Sequence, residues 1–245
     1  MVTVRKKRVV AVYGAVPLVL LLAGCSGSSS DGGDGKPSAA PLATASATHG
    51  AAKASADPQA AEKTAGGCPQ LATSTDIPRT APAAEWALVS TVAVPTSKTA
   101  GPAVVDGDVA KCFAHSPTGA LFAAAQIGTR YAFTKNWETV VEKQTYGDGK
   151  QVLLDKRRAY EATAEPVAPV PGELGQFAGY QFVTYTRQTA VLEMVSRFAA
   201  GAMQVSTVTL QWDTGRGDWL YEIPSVTPPQ KTVDTLDGYV VWGGL

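Results

Sequence analysis

Residues 26–67 contain no aromatic side chain, no Ile and a single Leu, and that void decides where this chain can fold. Ala, Ser, Gly, Thr, Pro and Asp dominate the stretch. Such a composition cannot bury enough apolar surface to offset the entropy of ordering the backbone. It reads as a disordered linker, with a typical reach of about 5–6 Å times the square root of its length. Folding is therefore confined to residues 68–245, a single globular domain that holds all five Trp. The chain is 45% hydrophobic, so a core is available there. Its 21 basic and 21 acidic side chains cancel, and no nucleic-acid partner is expected without a basic excess.

Ahead of the linker, Arg5, Lys6, Lys7 and Arg8 precede an uncharged stretch at residues 9–23. A basic segment followed by about 7–15 apolar residues is the layout of a secretory signal. The stretch ends in Leu22-Ala23-Gly24-Cys25, which matches the bacterial lipobox. Small residues there admit the peptidase, and the cysteine thiol takes a diacylglycerol. Residues 1–25 are thus read as a signal peptide with Cys25 as the lipid attachment site. The competing reading is one uncleaved transmembrane helix, which needs about 20 apolar residues. This stretch is shorter and holds Pro17. Either anchor keeps the basic cluster inside and puts everything after residue 25 on the extracytoplasmic face of the cell membrane.

Within the domain, Trp86, Leu88, Val89, Val92 and Val94 form an extended apolar run ending at Pro95. Ser116 and Pro117 suit the cap and first position of a helix. The following residues, 119–131, are apolar nearly all round, as in a buried helix. Trp137, Val140 and Val141 mark a second helix, broken by Gly147-Asp148-Gly149, and residues 151–162 a third. Residues 176–186, 189–198, 203–212 and 219–223 read as strands joined by short connections, hence antiparallel. Helices first and strands after is the α+β pattern. The expected fold is about three N-terminal helices packed on a curved antiparallel sheet of about four strands.

This element order resembles the nuclear-transport-factor-2-like (cystatin-like) cone. More specific are Trp86, Val94-Pro95-Thr96-Ser97, Gly101-Pro102, Cys112-Phe113-Ala114-His115-Ser116-Pro117-Thr118-Gly119-Ala120-Leu121, Gly217-Asp218-Trp219 and Gly238-Tyr239-Val240-Val241-Trp242. Together they resemble an uncharacterised actinobacterial family of secreted or membrane-anchored proteins, over nearly all of residues 69–245. An Ala-, Gly-, Val- and Thr-rich usage with scarce Ile fits the same source. The resemblance brings no established chemistry. It implies envelope or secretion-apparatus partners, since some members lie in conjugative elements and the cone occurs in outer-face components of type IV secretion machines.

With Cys25 assigned to lipid, Cys68 and Cys112 remain, and in an oxidising compartment two such cysteines pair. Two free thiols are the alternative. His115 is the domain's single histidine, and a triad with Ser116 is disfavoured because adjacent residues rarely converge as nucleophile and base. Zinc is disfavoured by the same shortage of ligands, and no metal or cofactor is expected. Arg216-Gly217-Asp218 matches the integrin tripeptide but suits a plain turn. Tyr180, Phe182, Tyr185, Trp212 and Trp219 could line a cone cavity, or form an ordinary core. The expected function is a non-enzymatic, surface-tethered interaction or assembly module. The alternative is a small-ligand-binding lipoprotein that uses the cavity.

Overall fold

Ser116 and Pro117 start a helix as capping chemistry requires. In a computed structural model, which describes residues 67–164, 170 and 172–244, Ser116 Oγ accepts from the Gly119 amide at 3.0 Å. Pro117 follows where no N–H is needed, and α1 runs Pro117–Phe133. Leu121, Phe122 and Ile127 are fully buried along it, with Ala120, Ala123 and Ala125 between them. Gly119 is forced by close approach, because a Cβ there would sit 2.0 Å from the Ala114 carbonyl oxygen. Helix α2, Trp137–Gln144, buries Trp137, Val140 and Val141. Helix α3, Lys150–Glu161, buries only Leu154 and lays the Arg157 guanidinium 4.2 Å over the Trp137 ring.

The four long strands alternate as their sequence does. They are β6 (Gln176–Tyr185), β7 (Thr189–Arg197), β8 (Met203–Asp213) and β9 (Asp218–Glu222), and consecutive members pair antiparallel. Ala190, Leu192 and Met194 of β7 face the α1 core, while Val195 and Glu193 face the other way. On β6 the aromatics stand at 177, 180, 182 and 185, which no period of two can align. The register slips between Phe177 and Gly179 and again between Phe182 and Thr184. Each bulge inserts one extra residue, so all four rings reach the core face.

The expected α+β order is corrected. Two hairpins precede α1: β1 (Glu85–Val89) with β2 (Val92–Thr96), and β3 (Val104–Asp106) with β4 (Val109–Lys111). Three further short strands join the meander: β5 (Thr145–Tyr146) parallel to β9, β10 (Lys231–Val233) on β8 and β11 (Val240–Val241) on β6. The main sheet is therefore seven-stranded and mixed, where about four antiparallel strands were expected. Among the described residues the chain is mostly β, with three internal rather than N-terminal helices. The reason is local. Ser90 adopts φ 55° and folds the expected single run of residues 86–94 back on itself. Gly107, at φ 58°, does the same between β3 and β4.

A smaller core lies on the far side of the sheet. Ala178, Val195, Met203 and Val205 pack there under Val233, Leu236 and Tyr239. Glu193 reaches into this layer, accepting from Tyr239 Oη at 2.7 Å and pairing with Lys231. Those two partners hold the Glu193 carboxyl below its usual range.

Candidate functional site

Leu22, Ala23, Gly24 and Cys25 lie outside the described residues. Cys68 and Cys112 are joined in a disulfide, both buried, with Cα atoms 5.3 Å apart. The segment leaving Cys112 is clamped to β9. Asp218 accepts from the Cys112 amide at 2.6 Å, the Phe113 amide at 3.0 Å and the Trp219 amide at 3.0 Å. Trp219 Nε1 donates to the Ala114 carbonyl at 2.9 Å. These bonds hold Cys112 in the left-handed region, at φ 67°, which non-glycine residues rarely adopt. Burial pushes the Asp218 carboxyl up to about 6, against the pull of the three amides and of Lys111.

This clamp settles two sequence motifs. The β8–β9 connection is a turn in which Asp213 Oδ1 accepts from Gly215 and Arg216 amides, with Gly217 at φ 65°. Asp218 points inward, so Arg216-Gly217-Asp218 does not present its acid to a receptor. The Ser116 hydroxyl is engaged as a helix cap. The His115 ring stacks on Trp212 at 3.9 Å and 6°, and its Nε2 donates to the Arg187 carbonyl at 2.5 Å. Burial lowers the His115 pKa despite that bond. Neither side chain is directed to the other as base and nucleophile.

The five aromatic candidates are brought together on the core face. Their rings form a chain with centroid spacings of 6.0 Å (Tyr180–Phe182), 6.4 Å (Phe182–Tyr185), 6.2 Å (Tyr185–Trp219) and 5.4 Å (Trp212–Trp219). Tyr180 and Trp219 are fully buried; Phe182, Tyr185 and Trp212 are half-buried. Tyr185 Oη is buried without a hydrogen-bond partner among the described residues.

Two residues outside that set, Trp86 and Trp242, extend the aromatic surface at its other end. Trp242 lies 5.6 Å from the Tyr180 ring and 5.1 Å from that of Trp86. A strap formed by residues 69–84 crosses this end. Tyr180 Oη lies 3.2 Å from the Pro78 carbonyl oxygen and 3.1 Å from that of Thr80, and shares its one proton between them. Trp242 Nε1 donates to the Pro82 carbonyl at 3.3 Å. Burial pushes the Tyr180 hydroxyl up to about 12, which keeps it a donor at any physiological pH. The sequence signal for this contact is the proline pair itself, Pro78 and Pro82, placed before the first strand.

A separate cleft of about 300 Å³ lies beside the disulfide, between Lys111, Lys143, Gln144, Arg216 and Asp218. Its charges are mixed, and the Arg216 guanidinium is already bonded to the Lys143 carbonyl. No group of three or more His, Cys, Asp or Glu side chains among the described residues could hold a metal ion. No helix among the described residues is long and apolar enough to cross a membrane.

No curated protein and no solved structure matches the chain. A family model does, over residues 47–241, under the description domain of unknown function (DUF8175). It covers the second half of the expected linker, the strap and nearly all of the described fold. The chain belongs to the DUF8175 family.

Proposed function

We propose that this protein is an extracytoplasmic interaction module, held to the membrane by a lipid on Cys25 and carried on the linker of residues 26–67. The observation that carries the reading is the Cys68–Cys112 disulfide. A structural disulfide between buried cysteines suits an oxidising compartment. That is the side of the membrane to which residues 1–25 would deliver the domain. The module is non-enzymatic on this reading, because Ser116 and His115 are engaged in a cap and a ring stack. Its partners are envelope proteins, with a conjugation or type IV secretion-like apparatus as the assembly suggested by the motif resemblance. The residue usage supports an actinobacterial source.

Metabolic labelling with a radiolabelled fatty acid tests the anchor. Wild-type protein incorporates label and stays with membranes, and Cys25→Ser abolishes incorporation. Membrane retention without any label in the wild type replaces the lipid by an uncleaved helix. Recovery of the domain in the cytoplasm, with both thiols free, overturns the reading altogether.

A further inference from the structure

The strap meets the domain through its carbonyls. The oxygens of Pro78, Thr80 and Pro82, on a chain that bends at Arg79 and Thr80, all face donors on the Tyr180 and Trp242 rings. Pro78 and Pro82 have no amide proton, so those positions leave no donor in need of a partner. Between residues 72 and 84 only Pro78, Pro82 and Ala84 are half-buried, and the rest are exposed. Residues 73–84 make no backbone–backbone hydrogen bond among the described residues. The strap is thus a loop pinned at both ends, by the disulfide at Cys68 and by β1 at Glu85, tied between them by the Ala72 amide on the Thr99 carbonyl at 3.0 Å and latched by two side chains.

A ring hydroxyl and an indole N–H set on aromatic faces, both aimed at carbonyls of a proline-containing chain, are the chemistry by which aromatic grooves read proline-rich peptides. Such a groove recognises backbone and the absence of N–H groups more than particular side chains. We propose that the Tyr180–Trp242 groove is a docking site for a bent, proline-containing segment of a partner protein, and that residues 77–82 occupy it in cis. The strap is the template for its own competitor. A partner segment that supplies carbonyls at the same alternate spacing lifts the loop, which stays attached at both ends. This deepens the interaction-module reading by naming the partner's chemistry, and it rests on that reading.

The test uses the full chain in detergent and a labelled synthetic peptide with the sequence of residues 75–84 carrying Arg79→Gln, so that trypsin spares the peptide. The variant Pro78→Gly with Pro82→Gly loosens the strap and leaves the groove intact. Peptide binding, followed by anisotropy, is weak in the wild type and roughly tenfold tighter in the loosened variant, because a cis competitor reduces apparent affinity by the fraction of open grooves. Adding Tyr180→Phe to the loosened variant removes the gain, and a peptide with both prolines replaced by Ala does not bind. A second readout needs no variant: saturating peptide speeds tryptic cleavage after Arg79 in the wild-type chain several-fold, read by mass spectrometry at that bond. No binding to a loosened variant that keeps its near-ultraviolet circular dichroism overturns the proposal. So does cleavage after Arg79 that ignores the peptide, and that arm decides if the variant fails to fold. Dimerisation of the loosened variant in place of peptide binding assigns the groove to a second copy of this chain and overturns it too. Fatty-acid labelling at Cys25 is untouched by these assays, so failure of the groove leaves the tethered reading standing, and the reverse holds as well.

Discussion

The meander β6–β9 and the strap at residues 69–84 lie against the same aromatic face and are held by different means. The meander is a continuous backbone ladder over a closed core, where Leu192, Leu210 and Trp219 are fully buried. The strap has almost no ladder. One covalent bond fixes its entry, and the Tyr180 and Trp242 side chains fix its course. Order in the first region is cooperative, since no strand can leave without exposing core. In the second it is modular, since two donors can let go while the sheet stays whole. A domain built this way can change what it displays without unfolding.

The comparison breaks most violently at the core they share. Phe122→Ala should destabilise the whole domain by about 3–5 kcal/mol, because a fully buried ring leaves a cavity under α1. A single cooperative melt shifted far down in temperature is the expected result; two separate melts would show that strap and meander never shared a core. Removal of the disulfide by Cys68→Ser with Cys112→Ser comes next, at up to about 4 kcal/mol on the loop-entropy account. Its effect should concentrate on residues 69–111, read as faster exchange of their amides, with β7 and β8 losing the least protection.

Asp218 sharpens the comparison through pH. Its folded pKa, raised to about 6, lies above the usual carboxyl value, so protonation favours the folded state. Its contribution is fully present below about pH 4 and is lost as pH rises through 6, a swing of roughly 3 kcal/mol. Denaturant midpoints of wild type and Asp218→Asn, compared from pH 4 to 7, should diverge in that window. Parallel curves would remove the buried charge from the account. Glu193 acts in the opposite sense, its stabilisation being lost as pH falls through its lowered pKa, which is why the difference between the two proteins is the quantity to read.

The smallest effect is the most selective. Tyr180→Phe keeps the buried ring and deletes the latch, at about 0.5–1.5 kcal/mol. Tryptic cleavage after Arg79 should rise while the melting temperature of the sheet barely moves.

Much of the meander could be read from the chain because its physics is local. Ser116-Pro117 announces α1, and alternation places β7 and β8 within a residue or two of their observed ends. The first hairpin was hidden because Ser90 carries no turn signal, although it takes a left-handed conformation. The second hairpin was missed too, although Asp106-Gly107 does carry one. Strand β5 has two residues and pairs with β9 across α3 and the meander, so only tertiary structure defines it. The aromatic face was legible as a set of residues, but not its covering strap. Pro78 and Pro82 fall inside the domain as read from sequence, but nothing in the chain says that they cross Tyr180. Asp218 was read as part of a turn because its three amide partners lie mostly about a hundred residues away.

Native-state hydrogen exchange on the full chain tests the central claim most directly, since it resolves the strap and the meander in one experiment. The account predicts that amides at residues 73–77 exchange with little protection, while those of Leu192 and Leu210 exchange only through global unfolding. Tyr180→Phe should leave the β7 and β8 amides unchanged while tryptic cleavage after Arg79 speeds up. Equal protection in the two regions, or a loss in Tyr180→Phe that spreads evenly through the sheet, would contradict it.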